Sequence, residues 1–159
     1  MADNKARLDE VYSKYANLLF RIALSSLQNR EDAEDAVQDT FVKYLSSSFY
    51  FSGEKEERAW LVRVVTNTCN DYHRRHRVRE ALPLDEALEI PVANEETKGV
   101  FSAISKLSDK YRTVIVLHYL EDFSVDEIAK ALSLTRSGVK MRLMRGREEL
   151  SYILAKGEA

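Results

Sequence analysis

Both prolines of this 159-residue chain, Pro83 and Pro91, fall within residues 80–98, and that placement decides most of what the chain can fold into. Proline cannot continue a helix and pushes the residue before it toward extended backbone. On either side run long proline-free stretches whose apolar residues recur at three–four spacing, the mark of a core-facing helical stripe. Only five glycines serve the whole chain, too few for the turns that many short strands would need. The expected fold is all-α: two small helical domains over residues 1–79 and 99–159, joined by a linker over residues 80–98.

In the first domain, Val11, Tyr12, Tyr15, Leu18, Leu19, Ile22 and Ala23 form a stripe that ends near Leu27, Gln28 and Asn29. Glu31, Asp32, Glu34 and Asp35 crowd the start of a second helix, where the helix dipole favours acids; its stripe is Ala33, Ala36, Val37, Phe41, Tyr44 and Leu45. A serine-rich loop leads to a third helix from about Glu54 to Arg77, with Trp60, Leu61, Val64, Val65, Thr68, Cys69 and Tyr72 on its buried side. In the second domain Ser108 is placed to cap one helix. Ser124 and Glu127 have capping-box spacing at the start of another. A turn at Ser133 and Leu134 then leads into a last helix from about Thr135 to Leu154. The residue after Leu132 is often glycine in such turns because a positive φ is needed, so with Ser133 the turn is expected to be either slightly strained or built differently.

A net charge of −2 conceals two basic blocks separated by an acidic one. Residues 58–79 hold Arg58, Arg63, Arg74, Arg75, Arg77 and Arg79 against Asp71 alone. Residues 128–147 hold Lys130, Arg136, Lys140, Arg142, Arg145 and Arg147 with no acid. Between them, Glu80, Asp85, Glu86, Glu89, Glu95 and Glu96 stand against Lys98. The second block lies on the later helix of a helix-turn-helix, packed through Ile128, Ala129, Leu132, Leu134, Val139 and Leu143. Thr135, Arg136, Ser137, Lys140 and Met141 point outward from its N-terminal half, the part that reaches base edges in a major groove. Arg142 and Arg145 suit phosphates.

On the third helix, Arg63, Asn67, Asn70, Asp71, Arg74 and Arg77 lie opposite the apolar side, with Arg75 beside them. Amides and carboxylates can grip the edges of an unpaired base while arginines hold the backbone. The plainer alternative is that Asp71 and Arg74 or Arg75 form surface ion pairs of little worth. His73 and His76 stand three apart but lack further soft ligands nearby, and Cys69 reads as core, so no metal is expected. There is no nucleophilic triad, P-loop or glycine-rich nucleotide turn, so neither catalysis nor a cofactor is expected. No apolar run approaches the ~18 residues of a bilayer span, and residues 1–8 carry no signal-peptide core, which points to a cytoplasmic chain without membrane insertion. The single cysteine fits a reducing compartment.

Taken in order, the block from Asp32 to Phe41, the helix from Trp60 to Arg77 and the segment from Tyr111 to Arg145 resemble the RNA polymerase sigma factors of the extracytoplasmic-function (ECF) group. The resemblance covers nearly the whole chain and makes the halves a region 2-like and a region 4-like domain. It implies that Asp35, Gln38 and Phe41 dock on the clamp helices of the largest subunit of core RNA polymerase. The third helix and the loop between Ser47 and Gly53 would capture flipped bases of a melted minus-ten element. The last helix would read a minus-thirty-five element, and the acidic linker would thread channels that otherwise hold nucleic acid. Promoter DNA and an anti-sigma factor, membrane-anchored or not, are the further partners it implies. Ser137-Gly138, Met141 and Gly146 depart from the family pattern, which usually has Gly-Thr, Ser and Ala at those places. The rival is a helix-turn-helix regulator that binds duplex DNA without recruiting polymerase, which would leave the Asp35 and Asn67 faces without a purpose. A helical adaptor that uses only the N-terminal half is the other.

Overall fold

A computed structural model describes residues 2–47, 50–76 and 95–157. Residues 77–94, which include Arg77 and most of the linker expected over residues 80–98, lie outside the described residues, while residues 95–98 form the first turn of a helix. Among the described residues the order is α1 (Ala2–Leu27), α2 (Arg30–Ser46), α3 (Glu54–Arg75), α4 (Glu95–Ser105), α5 (Asp109–Ile115), a π-helical turn (Val116–Leu120) continuing α5, α6 (Val125–Leu132) and α7 (Arg136–Gly157). No strand is present among them.

Helices α1, α2 and α3 pack mutually into the first domain around Leu19, Ala23, Phe41, Leu61 and Val65. α1 ends in a left-handed residue, Gln28 at φ 55°. Asn29 then caps α2, its Oδ1 accepting the Asp32 backbone N–H at 2.9 Å. The chain can therefore reverse within two residues. Phe51, Trp60 and Tyr44 form an aromatic cluster with ring centroids 5.7–6.1 Å apart, which fixes the start of α3 against α2.

The second domain folds α4, α5 and α6 against α7. Ser124 and Glu127 make the expected capping box. Ser133 takes the left-handed conformation at φ 57°, ψ 45°, and the Leu134 N–H closes the turn on Ala129 O at 2.9 Å. The helix-turn-helix is thus present, and of the two alternatives for its turn the strained one, with a left-handed Ser133, holds. Arg112 is buried, donating to Asp109 Oδ1 at 2.9 Å and Leu107 O at 2.7 Å, and so ties the α4–α5 corner together.

Gly146 is the place where α7 crosses α5. A Cβ there would lie 2.9 Å from Ile115 Cγ1, and Ile115 is itself buried and cannot swing aside. Overpacking costs roughly 1–3 kcal/mol, against a gain of about 1 kcal/mol for replacing a helical glycine by alanine. Gly146→Ala should therefore lower stability by about 1 kcal/mol in urea unfolding, net of those two effects. Gly99→Ala on α4, where a Cβ meets nothing within 4 Å, should raise it instead. Equal gains from both would mean that the α5–α7 crossing is not tight.

The two domains pack on each other. α3 lies along α6, and α1 touches α4, α5 and the π-helical turn. Consequently α3 is buried on two sides: Leu61, Val65 and Cys69 face the first domain, while Val62 and Thr66 are also buried. This second buried side is not visible in the apolar periodicity, which assigned burial to one face.

Candidate nucleic-acid interface

The side of α3 expected to face nucleic acid lies at the seam between domains. Arg63 donates from Nε to Ala131 O at 2.9 Å and from Nη2 to Lys130 O at 2.5 Å. It thereby satisfies carbonyls that α6 leaves without helical partners at its C-terminus. Arg58, one turn earlier, pairs with Glu127 and stacks over Phe123 at 4.3 Å. Asn67, Asn70 and Arg74 line a cleft of about 540 Å³ whose opposite wall includes Lys110 and Arg142. Asp71 pairs with Arg74 at i,i+3, the plainer alternative foreseen for that acid. Arg75 is exposed.

Three more contacts hold the seam. Arg21 grips the carboxylate of Glu121 as a fork, with Nε–Oε2 at 2.9 Å and Nη2–Oε1 at 2.6 Å. Gln28 Nε2 donates to Ser105 O at 2.9 Å. His73 Nε2 lies 3.0 Å from Ser26 Oγ and 3.8 Å from Asp109 Oδ1, while the His76 ring stacks on Tyr72 at 4.2 Å. The His73 ring also meets Tyr72 edge-on, at 6.3 Å between centroids. Cys69 sits at the same seam, in a small gap shared with Ser26, Arg112 and Thr113. Burial pushes its thiol up to about 12, well above the ordinary thiol range.

On α7 the outward residues divide. Ser137, Lys140, Met141 and Arg145 are exposed. Arg136 is exposed and pairs with Asp126 at 2.9 Å. Thr135, expected to meet bases, is exposed, accepts the Gly138 backbone N–H on its Oγ1 at 3.0 Å and precedes the first helical residue as a cap. A Cβ on Gly138 would stand 3.0 Å from that hydroxyl, which explains the glycine. Arg142 faces the interdomain cleft rather than the open surface.

On α2, Asp35 and Gln38 are exposed as expected. Phe41, placed both in the core-facing stripe and among the docking positions, is 5% exposed and packs on Tyr12 at 5.0 Å, so it supports the face from behind. Leu45, assigned to the core stripe, is 53% exposed, and Val42 is 60% exposed. The exposed stripe therefore runs Asp35, Gln38, Val42 and Leu45, with a three–four spacing of its own.

The sequence matches the family models for Sigma-70 region 2 over residues 11–79 and for Sigma-70 region 4 over residues 100–150. It is 30% identical to the ECF RNA polymerase sigma factor SigW of Bacillus subtilis, over 89% of this chain and 85% of that protein. The chain belongs to the ECF sigma factors. SigM of the same organism is 28% identical over 94% of this sigma factor and 96% of the relative. Among solved structures, the sigma factor RpoE from Bartonella quintana, crystallised with the anti-sigma factor NepR, superposes with a TM-score of 0.70 at 25% identity. That match covers 92% of this chain and 96% of the other. A sigma factor is a promoter-recognition subunit for transcription initiation, so the helix-turn-helix here is half of a two-part DNA reader. No helix among the described residues is long and apolar enough to cross a membrane.

Proposed function

We propose that this sigma factor works as a non-catalytic, cytoplasmic subunit. In this reading residues 1–79 bind core RNA polymerase and the minus-ten element, residues 80–98 link, and residues 99–159 bind the minus-thirty-five element. The observation that carries it is the grouping of Arg63, Asn67, Asn70 and Arg74 along one side of α3, in the same chain as an exposed basic recognition helix. Asn67 and Asn70 supply base-edge donors and acceptors, and Arg63, Arg74 and Arg75 supply charge for the backbone. On α7, Arg136, Ser137, Lys140 and Met141 meet base edges, Arg145 meets phosphate, and Thr135 acts by ordering the helix start.

The packed seam bears on this role. Arg63 cannot cap α6 and contact DNA at once, so promoter binding requires the domains to part. The structural relative crystallised with an anti-sigma factor supports a partner of that class for this chain as well.

Docking on the polymerase clamp is assigned to Asp35, Gln38, Val42 and Leu45. The deciding experiment is run-off transcription by core polymerase with and without the protein, on a genomic promoter library. Val42→Glu with Leu45→Glu should weaken core binding at least tenfold, because two apolar anchors worth about 1.5–3 kcal/mol each when fully buried are lost. Circular dichroism should be unchanged, since both side chains are exposed. Absence of any protein-dependent transcript would remove the proposal.

A further inference from the structure

The packed domains create a cleft of about 540 Å³ that neither domain has alone. One wall is the α3 side with Arg63, Asn67, Asn70 and Arg74; the other carries Lys110 and Arg142. Its size falls within the ~300–1,000 Å³ usual for small-molecule sites. Its charge is positive even with Arg74 paired to Asp71. The lining acid, Asp109, is held by Arg112, and no acid pairs with Lys110 or Arg142 among the described residues. Arg63 spends its protons on neutral carbonyls and keeps its full charge.

The uncharged groups add a second, independent signal. Thr66 is 8% exposed and lines the cleft, and its Oγ1 has no hydrogen-bond partner among the described residues. A buried hydroxyl in a helix ordinarily returns its proton to the carbonyl one turn back, as Thr40 and Thr68 do here. Thr66 does not, so a donor is left at the wall of a cationic cleft. Beside it, neither the Asn67 nor the Asn70 side-chain amide is engaged among the described residues.

We propose that the cleft binds a nucleoside di- or triphosphate. Its phosphates lie between Arg63, Lys110 and Arg142, and its base lies against the amides of Asn67 and Asn70. Guanidinium and ammonium groups converging from two walls suit a polyphosphate, and paired amides suit the donor–acceptor edge of a base. The two walls belong to different domains, so such a ligand binds only when they are packed. By linkage it holds them packed and keeps α3 from DNA. Its effect on transcription rests on the α3 reading above, whereas binding itself does not.

The test uses the full chain without polymerase or DNA. ATP, GTP and inorganic pyrophosphate are titrated by calorimetry at about 0.1 M salt, where surface charge is already screened beyond roughly 10 Å. In parallel, the rate at which Ellman's reagent modifies Cys69 reports whether the seam is open. We expect saturable binding of at least one nucleotide, tighter than pyrophosphate, together with slower Cys69 modification. Lys110→Glu, on an exposed residue outside the assigned DNA contacts, should weaken binding about tenfold through loss of one charge-assisted contact. Lys156→Ala, which removes an exposed cation outside the cleft and outside the assigned DNA contacts, should leave it unchanged. Equal weakening by Lys156→Ala would mean diffuse attraction of polyanions and would overturn the site. So would pyrophosphate binding as tightly as nucleotide, an unchanged Cys69 rate, or no saturation below about 1 mM. Failure here leaves the run-off result untouched, and failure of run-off leaves nucleotide binding untouched.

Discussion

Arg21→Ala should make Cys69 react with thiol reagents some thirtyfold faster than in the unaltered protein, because it unlatches the two domains. The Arg21 guanidinium is more than half exposed, but the Glu121 carboxylate that it holds is only 7% exposed. Removing the arginine strands a nearly buried charge, and truncating one side of such a pair costs about 2–5 kcal/mol. The molecule can avoid that cost by parting its domains, which rehydrates Glu121. We take about 2 kcal/mol as the shift, discounted for the exposure of Arg21, and every 1.4 kcal/mol is about a factor of ten in population. Cys69 reacts through the open state, since it adjoins Arg112 and Thr113 of the second domain and its thiol is held protonated by burial. The measurement is the pseudo-first-order rate with Ellman's reagent at neutral pH, with small-angle scattering as a second reporter. Arg21→Lys keeps the charge but loses the fork, and should fall between the two. If Arg21→Ala changes neither the rate nor the radius of gyration, the Arg21–Glu121 contact does not hold the domains together.

The latch was invisible in the sequence for a physical reason. Arg21 and Glu121 are a hundred residues apart, and each reads as an ordinary charge on a helical surface. The same holds for Arg58 with Glu127, and for Arg63 with the carbonyls of Lys130 and Ala131, since a basic residue on a helix does not reveal whether it awaits a phosphate or a backbone oxygen. Local features were legible. The Ser124–Glu127 box and the left-handed Ser133 follow from chemistry within four residues, and they stand where expected. Leu45 shows where periodicity loses resolution. At 100° per residue it stands about 40° from Phe41 around α2, at the margin of the buried arc. Alternation alone could not say that Phe41 turns inward onto Tyr12 while Leu45 and Val42 remain outside. Thr135 shows a further limit, because a threonine before a helix suits a cap and a base contact equally, and only the structure shows its Oγ1 accepting the Gly138 N–H.

In the polymerase-bound state the expected loss lies elsewhere on α3. Asn67→Ala combined with Asp71→Ala should reduce promoter melting about a hundredfold, while affinity for core polymerase stays within a factor of two of the unaltered protein. Holding a base out of the stack costs a few kcal/mol, which contacts to its edge must return; each good bidentate contact supplies about 1–3 kcal/mol. Asn67 is exposed and its amide is unengaged among the described residues, so its removal costs nothing in the packed form. Asp71 is engaged, by Arg74, but an exposed i,i+3 pair contributes at most about 1 kcal/mol and is readily exchanged for a nucleic-acid partner. Two lost contacts then amount to roughly 3 kcal/mol of melting free energy. Permanganate reactivity of unpaired thymines measures the melting, and equilibrium titration with core polymerase measures the docking. The single variants separate two roles for Asp71. If it contacts a base, Asp71→Asn should retain part of the activity that Asp71→Ala loses, since the amide oxygen still accepts. If it serves only to hold Arg74, Asp71→Asn and Asp71→Ala should be alike, and both close to the unaltered protein. Loss of polymerase affinity in parallel with melting, in a variant with an unchanged unfolding midpoint, would contradict the assignment of this side of α3 to DNA.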